Sequence, residues 1–217
     1  MQRCAVEVCH AIAPGPFSAA VDRFLYTVKG MGCHGSAPQT GLDPIPAAAR
    51  LVGSLQEIVN RRISPTETAV ISVTRFTSGT SWNIIPETAR LEGTVRTFNP
   101  KVREQIVKLM QAQAEGLEQE GYQVEFTWIP GCPATNNDAE LVRKEAVEEG
   151  FHVILQHPEM GGEDFSCYQE LVPGAFFHVG TGGKYPAHNS KFTVDPAALL
   201  GASKLMSEIV KKALKAS

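Results

Sequence analysis

Between residues 22 and 130 the spacing of apolar positions alternates between a strand-like and a helix-like period. Residues 24–29, Phe-Leu-Tyr-Thr-Val-Lys, are rich in β-formers and predict a strand. Asp43-Pro44 opens a stretch in which Ile45, Ala48, Ala49, Leu51, Val52, Leu55 and Ile58 fall on one helical stripe, and Ser64-Pro65 breaks it. Residues 70–76 predict a second strand, 77–80 a turn, and 89–98 a third strand. Asn99-Pro100 has the signature of a helix start, a capping side chain followed by proline in the first turn. Val102, Ile106, Leu109, Met110, Gln113 and Leu117 then line one face, Gly121 ends the helix, and residues 122–129 alternate again. The order β-α-β-β-α-β predicts a ferredoxin-like antiparallel sheet with both helices on one face.

The pattern changes after Pro130-Gly131-Cys132-Pro133. Residues 138–149 predict a charged helix, 174–180 an apolar strand, and Asp195-Pro196 the start of a last amphipathic helix reaching residue 216. That is too little sheet to cover the apolar faces of a two-layer domain. Ahead of the ferredoxin-like block, residues 1–20 offer only a short apolar run from Cys4 to His10. The expected division is 1–21, 22–130 and 131–217, in a chain of α/β (α+β) class.

Composition narrows the functional classes. The 217 residues are 43% apolar and 20% charged, which suits a packed core and not a disordered chain. Net charge is −3 with the signs interspersed, so the clustered Lys and Arg of a nucleic-acid surface are missing. Cysteines 4, 9, 33, 132 and 167 form no CxxC pair, which argues for reduced thiols over a zinc ribbon or a redox motif. Residues 1–20 lack the apolar core of a signal peptide, and no apolar run reaches transmembrane length. A cytoplasmic chain with no membrane or nucleic-acid partner is expected.

Candidate chemistry lies in a few short segments. Gly32-Cys33-His34-Gly35-Ser36-Ala37-Pro38 sets a histidine between glycines, where the backbone turns sharply and brings a ligand close. Asn83-Ile84-Ile85-Pro86 and Leu91-Glu92-Gly93-Thr94-Val95-Arg96 follow, then Met160-Gly161-Gly162-Glu163-Asp164-Phe165 and Pro186-Ala187-His188-Asn189. Taken singly, each also has a plain structural reading. His34 can be a polar loop residue, Asn83 a turn residue before a strand, and Arg96 a surface charge. Glu163 and Asp164 can be a charge pair at a helix N-terminus, and one histidine such as His188 does not make a metal site.

In this order the segments resemble the metal-dependent aminoacylase and carboxypeptidase family, in particular its hippurate-hydrolase and N-acyl-amino-acid amidohydrolase branch. The resemblance runs from about Asp22 to the C-terminus. It implies that 22–130 form a lid or dimerisation domain, that 131–217 close a zinc-peptidase-like catalytic domain, and that 1–21 are a remnant of that domain. The implied reaction is hydrolysis of the amide bond of N-acyl amino acids or short peptides. His34 would polarise the substrate carbonyl, usually in the active site of the neighbouring subunit, and Asn83 would help hold the same region. Arg96 would grip the substrate carboxylate, for which a planar guanidinium is well shaped. Glu163 would lie by the substrate pocket, with Asp164 supporting it. These lid side chains are expected to converge on the substrate.

His188 corresponds to the family's C-terminal metal-ligand histidine, and His10 to the ligand histidine that precedes the lid. The implied cofactor is a divalent metal, zinc, manganese or nickel, and the implied assembly a homodimer through the lid. Family members carry most of their metal ligands in an earlier segment, including a Cys-x-His-Asp turn that does not occur here. The expectation is therefore a truncated chain with weak or absent metal and little activity, unless a separate chain supplies the missing half. The alternative is a non-catalytic remnant that dimerises or binds a carboxylate.

Overall fold

The computed structural model describes residues 9–142 and 152–216. The expectations for Cys4 and for the helix beyond residue 142 fall outside those residues. In chain order the elements are β1 (Cys9–Ile12), β2 (Gly15–Ser18), β3 (Ala20–Lys29), β4 (Cys33–His34), α1 (Pro44–Glu57), β5 (Ala69–Ser78), β6 (Ile84–Ile85), β7 (Thr88–Thr97), α2 (Pro100–Gln119), β8 (Gln123–Pro130), β9 (Thr135–Asn137), β10 (His152–Leu155) and β11 (His178–Val179). A short helix, Ser166–Gln169, and a long one, Pro196–Ala216, complete the order. The chain divides into two compact units.

One unit comprises Ser18–Ala134 with Met160–Asp164. Its sheet runs β5-β7-β3-β8 with every pair antiparallel, the ferredoxin-like order. Period-two alternation in β3 turns Phe24, Tyr26 and Val28 inward, and Ala89, Leu91 and Val95 of β7 do the same. Both helices cover that face, and one apolar cluster joins the sheet to α1 and α2. Each large aliphatic side chain buried there contributes about 1.5–3 kcal/mol.

Local signals set the helix ends. Asp43 accepts a hydrogen bond from the Ile45 N–H at 2.9 Å with Pro44 in the first turn, and Asn99 caps α2 through the Lys101 N–H at 3.0 Å. Gly121, at φ +98°, terminates α2 in the left-handed region. The buried stripes are narrower than the sequence suggests. In α1, Ala47, Ala48, Leu51 and Leu55 face the sheet while Ile45 and Ala49 face out. In α2, Ala114 rather than Gln113 continues the row of Ile106 and Met110, as i+4 spacing requires.

Two further contacts shape this unit. The Tyr26 hydroxyl donates to the Met110 carbonyl at 2.8 Å, and its ring stacks on Phe126 at 4.7 Å. Asp22 is fully buried and accepts from Arg103 Nε at 2.8 Å, from Arg103 Nη2, and from the Gly131 N–H at 3.1 Å. This ties the first turn of α2 to β3 and to the end of β8.

In the other unit β1 is the middle strand of a three-stranded sheet, parallel to β10 and antiparallel to β11, and β2 pairs with β9. Phe17, Phe176 and His178 meet edge to face with centroids 5.2–5.8 Å apart. The strand expected over 174–180 is only His178–Val179. The Asn137 amide explains this: Oδ1 accepts from the Phe176 N–H at 2.7 Å and Nδ2 donates to the Phe176 carbonyl at 2.8 Å. A side chain thus satisfies the backbone where a neighbouring strand would have done so. Asp138 caps a helix opening at residue 139, and Asp195 caps the last helix through the Ala197 N–H at 2.9 Å. No helix among the described residues is long and apolar enough to cross a membrane.

Candidate active site

Beyond the end of the β3–β7 pair the two strands continue as a narrow ribbon in which β4 pairs with β6, Cys33 opposite Ile85 and His34 opposite Ile84. The Gly35 N–H donates to the Asn83 carbonyl at 2.8 Å. This close approach explains the glycine, because a Cβ at Gly35 would stand 3.1 Å from that oxygen. The ribbon brings together His34 and Asn83, which lie far apart in sequence. His34 is exposed, and Asn83 is half-buried with its Oδ1 accepting from the Ser81 hydroxyl at 2.7 Å. Beside them is an open depression of about 390 Å³ lined by Gly32, Cys33, His34, Ile84, Ile85, Pro86 and Glu87.

The N–H groups of residues 35–37 after His34 are all bonded. The Ala37 N–H returns to the His34 carbonyl at 2.9 Å, closing a β-turn over residues 34–37. Ser36 approaches the imidazole itself, its N–H 3.2 Å and its Oγ 2.8 Å from His34 Nδ1.

Arg96 belongs to the opposite end of the sheet, paired with Val21 on one side and Val70 on the other. It stands seven positions along β7 from Ala89, about 23 Å of extended chain, and His34 and Asn83 lie beyond Ala89. The expected convergence of His34, Asn83 and Arg96 therefore does not occur within one chain. Arg96 is half-buried, and its Nε donates to Thr94 Oγ1 at 3.1 Å, which in turn donates to the Asp22 carbonyl at 2.9 Å. That relay holds the guanidinium on the face of the sheet opposite the helices.

The Met160–Asp164 segment reaches Arg96. The Gly161 carbonyl accepts from the Ala19 N–H at 2.9 Å. A Cβ at Gly162 would fall 1.9 Å from Val21 Cγ2 and 3.5 Å from Arg96 Nη1. The glycine thus lets this backbone lie flat on Val21 and against the guanidinium. Glu163 follows, half-buried, and Asp164 is exposed. Neither sits at the start of a long helix, because the helix after them is only Ser166–Gln169 and its cap residue, Phe165, makes no side-chain bond.

His188 is exposed in the other unit, and its φ of 70° lies in the left-handed region, uncommon outside glycine. His10 lies on β1 opposite Val153 and Val179. The reading of its side chain as a ligand falls outside the described side chains. Among the described residues no three His, Cys, Asp or Glu side chains gather to hold a metal ion. The donors in view therefore do not fit a catalytic zinc, which takes three protein ligands and a water. Sequence reasoning passed over Ser36 and Thr94, small hydroxyl residues two positions from His34 and Arg96. That i, i+2 spacing was the available signal.

Residues 21–121 match the sequence model of the peptidase dimerisation domain of the M20 family. The chain is 41% identical to the N-acetylcysteine deacetylase of Bacillus subtilis over 202 residues, covering 91% of this chain and 53% of that protein. It is 33% identical to the N-acetyldiaminopimelate deacetylase of Bacillus pumilus, covering 93% of this chain and 55% of the relative. Among solved structures it resembles a dinuclear metal binding peptidase of the M20 family from Bacillus subtilis, with TM-score 0.78 and 36% identity over 95% of this chain and 53% of that one. The chain thus spans about half the length of the curated relatives it matches. The ferredoxin-like sheet, the ribbon joining His34 to Asn83 and these likenesses agree, and the chain belongs to the M20 peptidase family.

Proposed function

We propose that the chain is the lid-bearing part of a metal-dependent amidohydrolase that cleaves the amide bond of N-acyl amino acids, and that its lid serves the active site of a second copy. The observation that carries this reading is the ribbon that sets His34 beside Asn83 while Arg96 stands at the far end of the same sheet. An N-acyl amino acid is far shorter than about 23 Å, so one chain cannot present all three side chains to it. Two copies joined through the dimerisation domain can place His34 and Asn83 of one against Arg96 of the other. Arg96 then binds the carboxylate as a bidentate fork, Glu163 borders the pocket beside it, and His34 donates to the amide carbonyl as charge develops on its oxygen.

A divalent metal, zinc, manganese or nickel, would supply the activated water. His10 and His188 are the proposed members of its ligand set in this chain, and the described donors do not complete that set. The substrate class rests on the deacetylases that the chain resembles. The proposed location is the cytoplasm.

A chimera tests the reading. Joining this chain to the part of the Bacillus subtilis deacetylase that it does not match should yield metal-dependent hydrolysis of N-acetyl amino acids. His34→Ala and Arg96→Ala chimeras should each lose most of that activity, and mixing the two should restore part of it, because mixed dimers contain one intact composite site. A mixture no more active than either variant would refute the sharing of sites between copies.

A further inference from the structure

We infer that the Ser36 hydroxyl is a positioning group that locks His34 in the tautomer with its proton on Nε2, leaving an outward-facing hydrogen-bond donor. Two contacts fall on one ring atom: the Ser36 N–H stands 3.2 Å from His34 Nδ1, and the Ser36 Oγ stands 2.8 Å from it. A backbone N–H can only donate, so Nδ1 carries the lone pair. A neutral imidazole holds one proton, which must then sit on Nε2. Since Nδ1 has no proton to give, the Ser36 hydroxyl is also a donor to it, and the two share the lone pair in a three-centre arrangement. The hydroxyl is the closer partner and governs the ring.

The turn enforces this geometry. Gly35 N–H is bonded to the Asn83 carbonyl and Ala37 N–H to the His34 carbonyl, so Gly35 and Ser36 cannot rotate without breaking the ribbon. His34 is itself exposed, so burial does little to choose among its rotamers or tautomers. In the locked form Nε2 can donate to a carbonyl oxygen but cannot ligate a metal or accept a proton. His34 is thereby confined to the donor role. The use of that donor rests on the function proposed above, whereas the tautomer stands on geometry alone.

Long-range ¹H–¹⁵N correlation spectra of the histidine-labelled chain at mildly alkaline pH read both ring nitrogens directly, with His34 assigned by its loss in His34→Gln. The wild type should show a bare Nδ1 and a protonated Nε2. Ser36→Thr keeps the hydroxyl and should keep that pattern, while Ser36→Ala should draw the two nitrogen shifts toward each other as tautomers mix. Averaged nitrogens in the wild type, or a Ser36→Ala spectrum identical to it, would overturn the lock. Adding an N-acetyl amino acid separates the two ideas. Movement of the His34 Nε2–H supports its use as a carbonyl donor, and an unmoved Nε2–H with the lock intact counts against the proposed function only.

Discussion

Replacing Arg103 by alanine removes the partner of a carboxylate that the fold has buried completely. Asp22 has no exposed side-chain surface, and Arg103 is 24% exposed. In the variant the carboxylate keeps only the Gly131 N–H, at 3.1 Å, in place of the two guanidinium donors it has lost. Breaking a buried pair by removing one member costs about 3–5 kcal/mol, against at most about 1 kcal/mol for a surface pair. That is a large fraction of a typical domain stability of about 5–15 kcal/mol. With an m-value near 2 kcal/mol/M, the urea midpoint should fall by about 1.5–2.5 M. Tryptophan fluorescence suits the measurement, because both tryptophans, Trp82 and Trp128, lie in the unit built on Ser18–Ala134. Trp82 is 96% exposed and Trp128 packs against the core, so the signal follows Trp128. Asp22→Ala should cost less than Arg103→Ala, since the guanidinium is already partly exposed and can turn to water. A loss below about 1 kcal/mol for Arg103→Ala, or a larger loss for Asp22→Ala, would refute the assignment of this pair as a buried anchor.

Other outcomes follow from the same unit. Burial pushes the Tyr26 hydroxyl far above its ordinary value, so the folded chain holds that proton while the unfolded chain releases it near pH 10. Stability from this group is complete below pH 10 and falls by about 1.4 kcal/mol per pH unit above it. Urea titrations at pH 9 to 11 should show Tyr26→Phe lacking this slope, at a cost of about 0.5–1.5 kcal/mol at neutral pH. Gly93→Ala would place a Cβ 2.1 Å from the Ser72 carbonyl and 2.3 Å from Phe24 Cζ, so thermal unfolding should show a loss of about 3 kcal/mol; a neutral result would mean that both the β5 backbone and Phe24 give way. Thr94→Val removes the acceptor of Arg96 Nε, and in the active chimera should raise KM for N-acetyl amino acids several-fold with kcat little changed. An unchanged KM there would show that Arg96 needs no such support.

The reach of the sequence can be followed residue by residue. Caps and breakers act through neighbours within a turn, so Asp43, Asn99 and Gly121 marked helix ends that the structure keeps. The β-α-β-β-α-β order followed, and with it the antiparallel sheet with its helices on one face. The same local logic failed at Phe176, where the Asn137 side chain, distant in sequence, took the place of a strand partner. At the site, His34, Asn83 and Arg96 were each visible as residue types in family-like segments. Their expected convergence within one chain was the reading that failed, because the residues between Asn83 and Arg96 span one strand and a strand holds its ends apart. What only the tertiary structure decided was which residues meet. Pairing of β4 with β6 joins His34 to Asn83, Gly162 lies flat against Arg96, and Ser36 turns its hydroxyl onto the His34 ring. Those meetings depend on strand register and turn closure, which couple distant positions, whereas hydrophobic period and capping report only what lies a few residues away.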